Sequence, residues 1–162
     1  MELRHATGAD AEAIREIYNR EVTETTNTFD IEPRSLAEQK AWIAEREGAL
    51  GVLVAEIDGA VAGFASLSEF RPRPAYRTTV ESSVYVAESA RGAGVGRELM
   101  VELVDVATKR GFHTIVANIA GGHEASIALH HAAGFEIVGT QREVGRKMGA
   151  WLDLVVMQRM LA

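Results

Sequence analysis

The sequence predicts one α+β domain, layered α/β/α, in which about four helices cover a mixed, mostly antiparallel sheet of about seven strands. Three observations carry that expectation. Period-two apolar runs and helically spaced stripes follow in the order β-α-α-β-β-β-α-β-α-β-β, which lacks the regular alternation of a doubly wound sheet. Asp58-Gly59 joins two of the runs and supplies the positive backbone dihedrals of a tight hairpin. The 162 residues contain no internal repeat, linker or low-complexity stretch, and a chain of this length buries enough surface for a single core.

Taken in order, Glu2 to His5 reads as a short strand, and Asp10 precedes the stripe Ile14, Ile17, Tyr18 and Val22 of a first helix. Thr23 to Arg34 has a loop composition and is free to line a site. Ser35 and Glu38 form an S-x-x-E capping box that starts a second helix over Leu36 to Glu47. Gly51 to Ile57 and Ala60 to Leu67 make the hairpin. Phe70 to Thr79, with Pro72, Pro74 and three arginines, cannot continue a central strand, and Val80 to Val86 resumes one. A glycine-rich turn then opens a helix with Leu99, Leu103, Val106 and Ala107 facing inward, closed by Gly111 as a left-handed cap. His113 to Ile119 is a further strand and Glu124 to Ala133 a short helix ended by Gly134. Phe135 to Val144 and Trp151 to Arg159 form a closing hairpin across Lys147-Met148-Gly149.

Composition narrows the function. With 23 acidic and 17 basic residues the formal charge is -6, a surface that repels nucleic acid and anionic lipid, so neither is an expected partner. No apolar run approaches the ~18 residues of a membrane span, and Met1 to Asp10 lacks the apolar core of a secretory signal, so a cytoplasmic protein is expected. The absence of cysteine excludes disulfides, thiolate metal sites and a cysteine acyl-enzyme. His113, His123, His130 and His131 show no H-E-x-x-H or comparable ligand spacing, and no metal is expected.

The turn Arg91-Gly92-Ala93-Gly94-Val95-Gly96-Arg97 is the informative segment. A strand ending in such a turn aims several backbone N–H groups at one spot, where the positive end of the helix dipole adds to them, so the turn is a phosphate site. Missing β-carbons let a pyrophosphate approach the amides, and Arg91 and Arg97 add charge at the rim. A P-loop is excluded because Arg97 and Glu98 follow Gly96 instead of lysine and a hydroxyl residue. A dinucleotide fingerprint fails because Arg97 stands three residues after Gly94. On this feature alone, a glycine-rich turn that binds nothing stays open.

These residues match the [RQ]-x-x-G-x-[GA] motif of the GNAT superfamily of N-acetyltransferases, which the chain resembles from Ile17-Tyr18-Asn19 to Trp151. Thr79-Val80-Glu81-Ser82-Ser83-Val84-Tyr85-Val86, Ser126-Ile127-Ala128-Leu129-His130 and Gly134-Phe135 further resemble its phosphinothricin and methionine sulfoximine branch. The resemblance implies a GNAT fold with central strands splayed to admit CoA. It also implies acetyl transfer from acetyl-CoA to the α-amine of a small amino-acid analogue, and a homodimer. Val84, Tyr85 and Val86 are implied partners of pantetheine in the manner of an added strand, and Gly92 to Arg97 of the pyrophosphate.

Glu81 is the expected general base, since an attacking amine must lose a proton. His130 stands where many members carry a tyrosine that protonates the departing thiolate. A neutral imidazole would assist with the amine proton and an imidazolium would donate to sulfur, and both roles stay open. His123 replaces the asparagine that usually opens the last helix, which leaves that CoA contact in question, whereas Ser126 keeps its position. Arg71 and Arg73 are the candidates for the acid group of the acceptor, Phe29 and Tyr76 for walls, and Lys147 or Trp151 for residues reaching in from the last hairpin. Acetylation of polyamines, aminoglycosides or protein N-termini is the alternative within the enzyme class, and a non-catalytic CoA sensor the alternative outside it.

Overall fold

The computed structural model describes residues 1–161 and contains the expected seven strands and four helices. The strands are β1 (Glu2–His5), β2 (Gly51–Ile57), β3 (Ala60–Glu69), β4 (Thr79–Val86), β5 (Thr114–Ala120), β6 (Glu136–Lys147) and β7 (Ala150–Met160). They form one sheet in the order β1-β2-β3-β4-β5-β7-β6, antiparallel throughout except between β4 and β5. Helices α1 (Ala11–Glu24) and α2 (Leu36–Glu45) cover one face, and α3 (Val95–Lys109), with α4 (Glu124–Ala132) beside it, covers the other.

Local chemistry sets these boundaries. The Ser35 hydroxyl accepts from the Glu38 amide while the Glu38 carboxylate accepts from the Ser35 amide, so the capping box forms, and α2 ends two residues earlier than expected. Asp58 and Gly59 both take positive φ, 51° and 78°, as the β2–β3 turn requires. On α1 the stripe Ala11, Ile14, Tyr18 and Val22 is buried against Val52, Val54 and Phe64. On α3, Leu99, Met100, Leu103 and Ala107 are buried against Leu53, Ala65, Ile115 and Met157, each large side chain contributing about 1.5–3 kcal/mol.

Two irregularities matter for function. The parallel ladder of β4 and β5 holds for three pairs only, Thr79 with Thr114, Val80 with Ile115 and Glu81 with Val116. Beyond Glu81 the strands part, although β4 continues on β3 as far as Val86 and β5 on β7 as far as Ala120. The sheet thus opens as a wedge in its middle, with Glu81 at the apex. The second irregularity is a bulge in β6 between Gln141 and Gly145, where Glu143 has φ 53° and its amide donates to Asp153 at 2.8 Å. It carries β6 past the expected end at Val144 to Lys147.

The loop between α1 and α2 is held rather than free. Asn19 accepts from the Arg34 amide at 2.8 Å, Tyr18 hydrogen-bonds Thr28 and Asp30, and the buried Lys147 ammonium donates to the Thr28 carbonyl at 2.9 Å. The Phe29 ring lies against Gly145 so closely that a β-carbon there would stand 2.6 Å from it.

Candidate active site

Strand alternation divides β4 between two environments. Val80 joins the core under α3, whereas Tyr85 packs with the α1 and α2 core. Glu81 shares the face of Tyr85, and its carboxylate accepts a hydrogen bond at 3.0 Å from Asn118, which reaches across from β5. The Tyr85 ring makes an aromatic cluster with Tyr18 (5.2 Å) and Phe64 (5.4 Å), which leaves its backbone as the part facing the opening.

Next to Glu81 on this face lies a cavity of about 250 Å³ whose walls include Arg34, Trp42, Arg46, Ser68 and Ser83. A second cavity, of about 30 Å³, occupies the wedge itself, bounded by Ser82, Asn118, His123, Ser126 and His130. Its size suits one water molecule.

His130 is 3% exposed and packs edge-on to Phe135 at 5.1 Å. Its Nδ1 is 2.7 Å from the carbonyl of Ser126, a group that only accepts, so Nδ1 carries the proton. Nε2 is then an acceptor, and among the described residues it has no partner. Burial holds the imidazole below its ordinary proton affinity, partly opposed by the Ser126 carbonyl. The arrangement provides a neutral ring that accepts a hydrogen bond or a proton. His123, at the start of α4, makes no capping bond, and burial depresses its proton affinity as well.

At the glycine-rich turn, Gly92 and Gly94 both take φ 82°, and nothing stands within 4 Å of where their β-carbons would be. The Glu98 amide makes the first bond onto the Gly94 carbonyl, at 3.1 Å. The preceding amides of Val95, Gly96 and Arg97 are therefore the unsatisfied donors of a helix start. Gly96 departs from expectation: a β-carbon there would stand 3.1 Å from Leu129, so its bareness serves the packing of α3 on α4. Arg97 is exposed, and Arg91 pairs at 2.6 Å with the buried Glu21, whose carboxylate also accepts from Thr25 and Asn27.

The remaining expected residues are scattered. Arg71 stacks on Phe70 and Tyr76 in an exposed turn, Arg73 is exposed beside it, and neither lines the two cavities. The structure corrects the placement of the last hairpin. Lys147 is bound to the α1–α2 loop, and Trp151, 61% exposed, faces outward under Arg146, so neither reaches into the cavities. Phe29 braces the loop. Arg34, Trp42, Arg46 and Asn118 were not expected at the site. A polar Asn118 inside the apolar run of β5 and the i, i+4 spacing of Trp42 and Arg46 are the signals that mark them. Among the described residues no three His, Asp or Glu side chains converge as for a metal, and no helix is long and apolar enough to cross a membrane.

The profile of the acetyltransferase (GNAT) domain matches residues 3–156. The chain belongs to the GNAT acetyltransferases. This GNAT enzyme is 42% identical over 158 residues to an L-methionine sulfoximine/L-methionine sulfone acetyltransferase of Pseudomonas aeruginosa, covering 96% of this chain and 92% of that one. Among solved structures, it is similar to a GNAT superfamily phosphinothricin acetyltransferase from Sinorhizobium meliloti in complex with acetyl-CoA. That match has 43% identity and a TM-score of 0.96, covering 99% of this chain and 88% of the other. A ribosomal-protein-alanine N-acetyltransferase from Brucella melitensis is also similar, at 44% identity and a TM-score of 0.97 over 99% and 100% of the two chains. The GNAT fold accounts for the parted central strands and supports acetyl-CoA as cosubstrate.

Proposed function

We propose that this GNAT acetyltransferase moves the acetyl group of acetyl-CoA to the α-amine of a small amino-acid analogue of the methionine sulfone or phosphinothricin type. The observation that carries the proposal is the wedge between β4 and β5 with Glu81 at its apex, opening beside a cavity that holds two guanidinium groups. The names of the relatives from Pseudomonas aeruginosa and Sinorhizobium meliloti support the acceptor class.

In this proposal the unpaired edge of β4 at Val84, Tyr85 and Val86 receives pantetheine through its backbone. The amides of Gly92 to Arg97 receive the pyrophosphate, with Arg91 and Arg97 at the rim and His123 and Ser126 flanking the path. Glu81 takes the proton of the amine as nitrogen bonds to the thioester carbon and the carbon–sulfur bond breaks. The chain has no cysteine to carry an acyl intermediate, which favours direct attack in a ternary complex. His130, its Nδ1 proton held by Ser126, acts as an acceptor through Nε2. Arg71, Arg73 and Tyr76, on the turn that runs into β4, form the outer rim for the α-carboxylate. The donor is a cytoplasmic metabolite, and a cytoplasmic location belongs to the same reading.

Glu81→Gln should lower kcat about 10²-fold or more while leaving CoA affinity unchanged by calorimetry, and an unchanged kcat removes its assigned role. A mass-spectrometric panel of methionine sulfone, phosphinothricin, spermidine and an alanine-initiated peptide tests the acceptor. Preference for the peptide would favour the second reading, acetylation of a protein N-terminus, which the similarity to the Brucella melitensis enzyme supports.

A further inference from the structure

We propose that Arg34 and Arg46, both stacked on Trp42, form an inner subsite that binds the oxygen-bearing end of the acceptor's side chain. This rests on the reading of the acceptor as a small amino-acid analogue and adds the element that selects among such compounds. The guanidinium carbon of Arg34 lies 3.8 Å from the ring centre of Tyr18 and 4.9 Å from that of Trp42, and that of Arg46 lies 4.1 Å from Trp42. Three aromatic contacts hold two like charges in one small space.

Neither cation is hydrogen-bonded to an anion. Their side chains are only 18% and 15% exposed, and their nearest carboxylates, on Asp30 and Glu45, stand 3.9 and 3.8 Å away, beyond hydrogen-bond length. Burial, and after it the charge of Arg34, push the Arg46 guanidinium down to about 10. Arg46 donates from Nε and Nη2 to Ser68 Oγ at 3.2 and 3.1 Å and from Nη1 to the Trp42 carbonyl at 3.0 Å. Arg34 donates from Nη1 to Gln39 at 3.3 Å, while its Nε and Nη2 have no hydrogen-bond partner among the described residues. Partly buried cations that have free N–H groups and only long, exposed ion pairs are costly unless a ligand supplies the missing acceptor.

The position of the pair specifies that ligand. Ser68, which Arg46 holds, is the cross-strand partner of Glu81, and such partners have β-carbons about 4.5–5.5 Å apart. The guanidinium pair and the Glu81 carboxylate therefore stand on the same cavity, a few side-chain bonds from each other. A molecule with an amine at one end and a tetrahedral centre bearing two oxygens at the other would span them. Sulfone, sulfoximine and phosphinate groups present oxygen acceptors that suit the planar fork of a guanidinium. An apolar side chain of similar length would leave the free Nε and Nη2 donors of Arg34 without an acceptor, a mismatch that sites built to hydrogen-bond discriminate against strongly.

The test compares kcat/KM for methionine sulfone and for norleucine, which lacks the oxygens, in the wild type, Arg34→Gln, Arg46→Gln and a rim variant, Arg71→Gln. The wild type should prefer the sulfone by about tenfold or more. Each inner variant should shrink that ratio by about tenfold, mainly through the KM for the sulfone, with an unaltered KM for acetyl-CoA. Arg71→Gln should lower both compounds in proportion, since both carry an α-carboxylate. Arg34 is the less embedded of the two, so Arg34→Gln decides if Arg46→Gln does not fold. An unchanged sulfone-to-norleucine ratio in Arg34→Gln overturns the subsite alone. A wild type that acetylates neither compound but turns over a cationic amine overturns the acceptor class and the subsite together.

Discussion

A single carbonyl decides what His130 can do. Because Ser126 fixes the proton on Nδ1 and burial disfavours the cation, the ring faces the wedge as an acceptor, which supports the base role given to it in the proposed mechanism. The same burial makes a thermodynamic prediction. The unfolded chain binds the proton near the ordinary value of 6.5 and the folded chain only at lower pH, so between those two values the unfolded state holds more protons. Stability should therefore fall as pH drops below about 6.5, and His130→Gln should flatten the decline, as read from thermal unfolding at pH 5 and 7. A variant with the wild-type slope would show that His130 does not carry it. Glu81 and His130 could be nominated from the sequence because each sits at a fixed offset from a recognisable motif, and the structure places both along the wedge. Arg34 could not be, because the rings that mark it, Tyr18 and Trp42, are tertiary neighbours, and Arg46 offered only its place four residues after Trp42.

Among the elements, the capping box, the hairpin and the glycine turn followed from local chemistry and were readable residue by residue. The faces of the last hairpin were not. The shift between Ile137 and Gly139 sets two residues of β6 against one of β7 and so reverses which side the following side chains take, and the bulge from Gln141 to Gly145 adds two more residues, neither of which simple alternation can anticipate. Lys147 was expected as a cation in the site and is instead the anchor of the α1–α2 loop, whose carbonyl at Thr28 it satisfies. The loop's other anchor is testable. Gly145→Ala would press a β-carbon to 2.6 Å from the Phe29 ring. It should cost about 1–3 kcal/mol in denaturant unfolding. Phe29→Ala removes the obstruction, so the double variant should be less destabilised than the two single effects combined, by about 0.5 kcal/mol or more. Strict additivity would mean that the ring and the strand do not bear on each other.

For the molecule as a whole, β6 is one of the two edge strands, and Ile137, Val138, Val144 and Trp151 are exposed along it and its neighbour β7. An apolar edge of that length invites pairing, and the homodimer that the family resemblance implies would cover it. Light scattering should give twice the 17.5 kDa chain mass, and Trp151→Glu should return it to one copy. A wild type that stays monomeric at high concentration would end that proposal.

The parted strands have one more consequence. Between its amino-terminal four strands and its carboxy-terminal three the sheet keeps a seam of only three residue pairs, so the acetyl donor, if seated in the gap as proposed, would act as a splint. At a hundred times its dissociation constant, a ligand bound only by the native state adds about 2.7 kcal/mol to stability. The enzyme's persistence in a cell would then follow the acetyl-CoA supply, and starvation for that metabolite would reduce the amount of catalyst as well as its rate.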